Sequence, residues 1–213
     1  MKKIVILGAG GHAKVVADAA LTDYDVIGFI DKDDLRLNEK VLGYSILGND
    51  NDPEYWKKQG IESCVVGIGN MGDFETRNKL FEYYYNAGFT LETVIHEKAS
   101  VSKFASIGEG TVVLANAVIN AEAKIGDNCI INSSAVVEHD VQIGFGVHIG
   151  PGAIVTGGCM IGDNSFVGAS SVVINNVKIG KNVIIGAGSV VMKDVPDNVV
   201  VVGNPGRIIK QRR

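Results

Sequence analysis

Cysteine is nearly missing from this chain of 213 residues. Cys64, Cys129 and Cys159 lie far apart, in no spacing that would make a disulfide framework or a zinc knuckle. Long apolar runs are missing too, and none approaches the roughly 20 residues that span a bilayer. The opening MKKIVILGAGGHAK has only Ile4 to Leu7 as its apolar part, and His12 and Lys14 follow at once. The start is therefore expected not to be a signal peptide. Excess positive charge is absent as well: the net charge is -4, with no electrostatic attraction for nucleic acid or an anionic membrane. These absences predict a reduced, cytoplasmic protein with no membrane insertion. Tryptophan occurs once, whereas glycine occurs 27 times.

What is present is a repeat. From Ile95 to Val191 every sixth residue is Ile or Val, seventeen positions without a miss. Four places after each of these stands Ala, Ser, Thr, Cys or Val, as at Ala99, Ala105, Thr111, Ala117 and Cys129, and so on to Val195. The pair Ile-Gly recurs at triple that period, at 107, 125, 143, 161 and 179. Six-residue units in triplets of eighteen predict a parallel β-helix, one triangular coil per triplet. Equivalent positions then stack one strand spacing apart, roughly 4.8 Å, in ladders of Ile and Val. Gly108, Gly126, Gly144, Gly162 and Gly180 are expected to supply corner conformations. Cys129 and Cys159 fall in the small-residue position and read as packing, and Cys64 lies in the apolar run CVVGIG. None of the three thiols is therefore expected to act as a nucleophile.

The first ninety residues differ. KKIVILGAGGHAKVVADAA reads as strand, glycine turn and helix, YDVIGFID and SCVVGIG as further strands, DFETRNKLFEYYYNAG as a helix, and FTLETVI as a last strand. The alternation predicts a small parallel sheet with its ligand loops at the carboxyl ends of the strands. Gly8, Gly10 and Ala13 fit the dinucleotide fingerprint, with Asp31 about twenty residues on. Backbone N–H groups there suit phosphate oxygens, and an acid can hold a ribose hydroxyl. Fewer than a hundred residues cannot build both halves of a dinucleotide fold, so a nucleotide-linked substrate is favoured over NAD. The expected organisation is a Rossmann-like domain over residues 1–94, coils over 95–196 and a tail over 197–213.

The whole chain resembles the NeuD/PglD-type sugar acetyltransferases of bacterial surface-glycan pathways. The likeness rests on GAGGHAK, IGFIDKD, GIGN at 67–70, SSAVVEHDVQIG and the tail DVPDNVVVVGNPGRII. The resemblance implies a left-handed β-helix, a homotrimer, acetyl-CoA as co-substrate without a metal, and active sites between coils of adjacent subunits. It implies sugar-nucleotide contacts from Gly10, Gly11, His12, Asp31, Lys32 and Gly69, with Asn132 near the acceptor. It places acetyl-CoA near His148, Ala169 and Ala187, and Arg207 and Lys210 are candidates for its phosphates. His139 falls on the family's basic histidine and Asp140 on its orienting acid, although that acid is more often Glu.

Position within the repeat bears on His139 independently. It is third in the hexapeptide VEHDVQ, in neither interior position, so it points outwards, as a solvated histidine would. An imidazole can take a proton from an attacking amine near neutral pH. Gly157 is eighteen residues on, one coil above, where a missing side chain leaves room over the ring and an N–H for an oxyanion. The leading expectation is transfer of acetyl to the amino group of a nucleotide-activated amino sugar, with His139 as general base. The alternative is O-acetylation of sialic acid or a related sugar. A zinc-dependent β-helix enzyme would need a third histidine beside His139 and His148, and an inert scaffold would leave the His139–Asp140 pair without a purpose.

Overall fold

The computed structural model describes residues 1–212, and they form two compact units. The first holds Met1–Gly69 and Glu75–Glu97; the second holds Asn70–Phe74 and the chain from Lys98 onward. The segment 70–74 thus packs with the coils although it lies well before them in sequence.

In the first unit, β1 (Lys2–Leu7) pairs in parallel with β2 (Tyr24–Ile30) on one side. On its other side it pairs with β5 (Ser63–Val66). With β3 (Lys40–Val41), β4 (Tyr44–Gly48) and β6 (Thr90–Leu91), the order is β3-β4-β2-β1-β5-β6. Helix α1 (Gly11–Ala20) follows β1 directly and turns Ala13, Val16, Ala17 and Ala20 inwards. Its N-cap is Gly10, with no side-chain cap, which leaves the first turn open. Helix α2 (Pro53–Lys58) has Pro53 at its start, and the Asp52 side chain accepts the Tyr55 N–H at 2.9 Å. Helix α3 (Glu75–Asn86) buries Arg77, Leu80, Phe81 and Tyr84, the spacing of one helical face. The sequence reading missed β3, β4 and α2, which together carry the chain from β2 to β5. Two-residue β3 and six-residue α2 are too short to show a period.

The second unit is the left-handed parallel β-helix. Each coil contributes three two-residue strands, and partners lie eighteen residues apart, as in Val118↔Val136 and Ile119↔Val137. The repeating Ile and Val point inwards: Ile119, Val137, Val155 and Val173 are at most 1 % exposed. The small-residue ladder is equally closed, and it is also hydrogen-bonded. Thr111 Oγ1 donates to the Gly126 carbonyl at 2.8 Å and accepts the Cys129 N–H at 3.0 Å. Cys129 and Cys159 are fully buried, and burial pushes the Cys159 thiol up, away from the reactive thiolate.

The five Ile-Gly glycines work differently from the expectation. None of Gly108, Gly126, Gly144, Gly162 and Gly180 has a positive φ. A Cβ on Gly108, Gly144 or Gly180 would land on the carboxylate oxygen of Asp127, Asp163 or Asp197 in the following coil. Those carboxylates accept the N–H of Glu109, Phe145 and Lys181 at 2.8, 3.0 and 2.8 Å. Glycine is needed there for stacking. The left-handed backbone positions are instead taken by residues such as Asn116, Asn128, Asp140, Asn164 and Asn176. Asn and Asp tolerate that region better than other side chains do.

Within the segment expected as a tail, two strands form. Val199–Val202 pairs in parallel with Ile184–Ile185 and antiparallel with Arg207–Gln211. This hairpin closes the last coil, with the Asn204–Pro205 bond cis.

Candidate active site

The coil corner after Val136–Val137 brings three predicted residues together. Asp140 sits at φ +61, and His139 Nδ1 lies 2.7 Å from its Oδ2. The shorter arm of Asp therefore reaches the ring, and Asp also suits the left-handed backbone better than Glu would. A Cβ on Gly157 would stand 2.7 Å from His139 Cε1 and Nε2, so the eighteen-residue stacking holds and any side chain there would push the ring aside. The His139 carbonyl accepts the Gly158 N–H at 3.0 Å, and the Gly157 carbonyl accepts that of Asn176 at 3.0 Å. These bonds pin three successive coils together. The His139 side chain is 61 % exposed in the single chain, so Nε2 is open to an acceptor. The Asp140 hydrogen bond raises the imidazole pKa above its ordinary value, opposed by a small desolvation effect.

His148 occupies a different place. It lies on the strand His148–Ile149 and is 5 % exposed. Its Nδ1 is 2.7 Å from the Asn70 carbonyl, and its Nε2 is 3.0 Å from Asn132 Nδ2. A carbonyl can only accept, so the proton belongs on Nδ1, and Nε2 accepts from the amide. Asn132 Oδ1 accepts the Ser133 N–H at 2.8 Å, which agrees with that orientation. Asn70, buried and bonded through Nδ2 to the Gly146 carbonyl at 3.2 Å, was missed from sequence because it lies 78 residues from its partner. Ala169 and Ala187 stack one coil apart at the next corner, flanked by Gly168 and Gly186. His139, His148 and the alanines thus belong to different edges of the triangular coil.

In the first unit, a cavity of about 660 Å³ opens at the carboxyl ends of the strands. Gly8, Gly10, Gly11, His12, Asp31, Lys32 and Gly69 line it, so the structure gathers all the N-terminal predictions into one place. Gly8 has φ +95, and nothing lies within 4 Å of a Cβ on Gly10 or Gly11. Asp31 is already committed: Oδ2 accepts the Ala9 N–H at 2.7 Å, and Oδ1 accepts the Asp33 N–H at 3.1 Å. Its first duty is to hold the glycine turn. Asp50, Asn51, Thr76, Lys79, Leu80 and Tyr83 complete the wall, and no motif in the sequence pointed to them. Among the described residues no group of three His, Cys, Asp or Glu side chains converges on a metal position. Nor is any helix among them long and apolar enough to cross a membrane.

Comparison with known proteins places this geometry. Residues 3–84 match the PglD N-terminal domain, and the bacterial transferase hexapeptide repeats match from 104 to 193. The chain superposes on GDP-perosamine N-acetyltransferase from Caulobacter crescentus, solved with CoA and GDP-perosamine, with a TM-score of 0.92. The two share 38 % identity over 99 % of this chain and 98 % of that one. Other structures of that protein have one histidine replaced by Asn or by Ala. The acetyltransferase domain of PglB from Neisseria gonorrhoeae, solved with acetyl-CoA, matches with a TM-score of 0.88 and 35 % identity, over 98 % of this chain and 99 % of that one. WeeI from Acinetobacter baumannii matches at 0.83 and 27 % identity, over 98 % and 100 %. The comparison with curated proteins returned no match. A PglD-type N-terminal domain followed by hexapeptide coils, shared with these relatives over nearly the whole length, means that the chain belongs to the acetyl-CoA-dependent, hexapeptide-repeat sugar acetyltransferases.

Proposed function

We propose that the chain transfers acetyl from acetyl-CoA to the amino group of a nucleotide-linked amino sugar, with His139 as general base. The observation that carries the reading is the His139–Asp140 hydrogen bond of 2.7 Å beneath a glycine that leaves the ring accessible. Asp140 fixes the proton on Nδ1 and leaves Nε2 to take one from the sugar amine as its nitrogen attacks the thioester. The Gly157 N–H has no partner among the described residues and is the donor proposed for the oxyanion. Acetyl-CoA supplies the activated acetyl group, and the thiolate of CoA leaves. Gly10, Gly11, His12, Lys32 and Gly69 hold the acceptor nucleotide, with Asp31 shaping the turn. The nucleotide-linked acceptor is favoured over free sialic acid by the roomy cavity at the strand tips and by the Caulobacter relative solved with GDP-perosamine.

The cofactor and assembly assignments belong to the same proposal. Asn132, with His148 behind it, faces the acetyl end, and Ala169 and Ala187 give a side-chain-poor shelf for pantetheine. A cavity of about 560 Å³ beside the closing hairpin is lined by Lys193, Asp194 and Arg207, and its two cations suit the phosphates of CoA. Because His139 and the alanines lie at different corners of the β-helix and on different coils, we take a complete site to draw on a second copy. Exterior positions support a trimer. One face presents Ser106, Lys124, Gln142 and Lys178 along with Met160, whereas another presents Val118, Val136, Ile154, Val172 and Val190. That aliphatic stripe is partly exposed in the single chain and suits burial against a neighbour. Use of acetyl-CoA is consistent with the cytoplasm.

The test is acetyl-CoA consumption with a nucleotide-linked amino sugar, the same sugar without its nucleotide, and sialic acid. Turnover is expected with the first. Turnover confined to sialic acid would replace the proposal with the O-acetylation alternative.

A further inference from the structure

The cavity at the strand tips has two unlike ends. At one, Gly8 to His12 present the open first turn of α1, where backbone N–H groups suit phosphate. At the other, the loop after β4 supplies Asp50 and Asn51, and α3 supplies Leu80 and Tyr83. Tyr83 Oη donates to the Asn51 carbonyl at 2.8 Å, which ties the ring to that loop. An aromatic ring and a largely buried leucine make a wall for a flat heterocycle. The base of a nucleotide whose phosphates sit at α1 belongs at this second end.

Two carboxylates serve the cavity, and they are not equivalent. Asp31 is spent on the glycine turn, with Arg36 Nη1 at 3.6 Å beside its backbone partners. The half-buried Asp50 takes a hydrogen bond only from its own backbone N–H among the described residues. Burial, then the neighbouring Asp31 charge, pushes its carboxyl pKa above the ordinary value, with Lys32 acting the other way. A carboxylate facing a base site and short of donors favours a base that offers donors.

We propose that Asp50 reads the base of the acceptor nucleotide and selects guanine, accepting N1–H on one oxygen and N2–H on the other. Guanine alone among the common bases sets two such donors side by side. Uracil offers one N–H between two carbonyls, which the carboxylate repels, and adenine and cytosine each pair one donor with an acceptor. The paired, charge-assisted geometry is the strong kind of hydrogen bonding. This assignment rests on the proposal that the acceptor is nucleotide-linked, and it adds which nucleotide.

Calorimetric binding of GDP and of UDP to the full chain tests it, for the unaltered protein and for Asp50→Asn. The expected result is GDP tighter than UDP by about tenfold or more, the usual scale for a paired base contact. Asp50→Asn offers one acceptor and one donor, the complement of uracil, so it should erase or invert that preference with the melting temperature kept. Equal binding of GDP and UDP by the unaltered protein, or an unchanged preference in Asp50→Asn, would overturn the Asp50 assignment and leave the acetyl-transfer reading standing. Binding of neither nucleotide would overturn the nucleotide-linked acceptor together with the Asp50 assignment.

Discussion

Glycine in the N-terminal turn and glycine in the coils look alike in sequence and do opposite things. Around Gly10 and Gly11 the protein leaves open space, and Gly10 has an ordinary φ of -85°, so nothing in the fold forbids a side chain. At Gly108, Gly144 and Gly180 the next coil already occupies the place of a Cβ. Absence of a side chain leaves open space in the first region, which the proposed function gives to a ligand, and serves self-packing in the second. Gly157 joins the two cases. It is a coil glycine by position, but what a Cβ there would strike is the Cε1–Nε2 edge of the His139 ring.

The largest effect expected from this contrast falls on the ring itself. His139→Ala should lower kcat about 10²- to 10⁴-fold, the range of a lost general base, in a steady-state acetyl-transfer assay. Melting temperature should hold, because the side chain is mostly exposed. Next comes Gly157→Ala. Its new methyl displaces an exposed ring rather than backbone, so kcat should fall about tenfold or more with stability kept. The two pure cases should then separate. Gly144→Ala meets the backbone N and Cα of Asp163 at 2.9 and 3.2 Å as well as its carboxylate. Overpacking of that kind costs about 1–3 kcal/mol, several degrees by thermal melting for a chain of this size. Gly10→Ala should leave the melt within about 2 °C and weaken nucleotide binding about tenfold, read by calorimetry. A Gly10→Ala protein that melts early while binding normally would break the contrast.

How much of this was legible in the sequence follows from where the information lies. Ile119, Val137 and Val155 announce themselves because the same environment recurs every six residues, and one rule explains all the coils. The stacking of Gly157 on His139 came from the same period. The function of Gly108 and Gly144 did not, since a missing side chain does not say what fills the gap. Asp127 and Asp163, one coil later, held that answer. The closing hairpin was hidden because Val199 to Val202 leave the hexapeptide rhythm. The cavity wall from Asp50 to Tyr83 was hidden for another reason. Those residues lie on a short loop and on one face of α3, and only the parallel sheet brings them to the glycine turn. Asn70 closes the GIGN stretch, but nothing local there points to His148 as its partner.

The smallest shift is also the most direct test of the central claim, that neutral His139, poised by Asp140, accepts the proton. A base works only when unprotonated, so kcat should rise as pH climbs through the pKa of His139, which the Asp140 hydrogen bond sets above its ordinary value. Asp140→Asn removes that support, so the acidic limb of the pH–kcat profile should move to lower pH while the plateau drops. An acidic limb at the same pH in the unaltered protein and in Asp140→Asn would contradict the account.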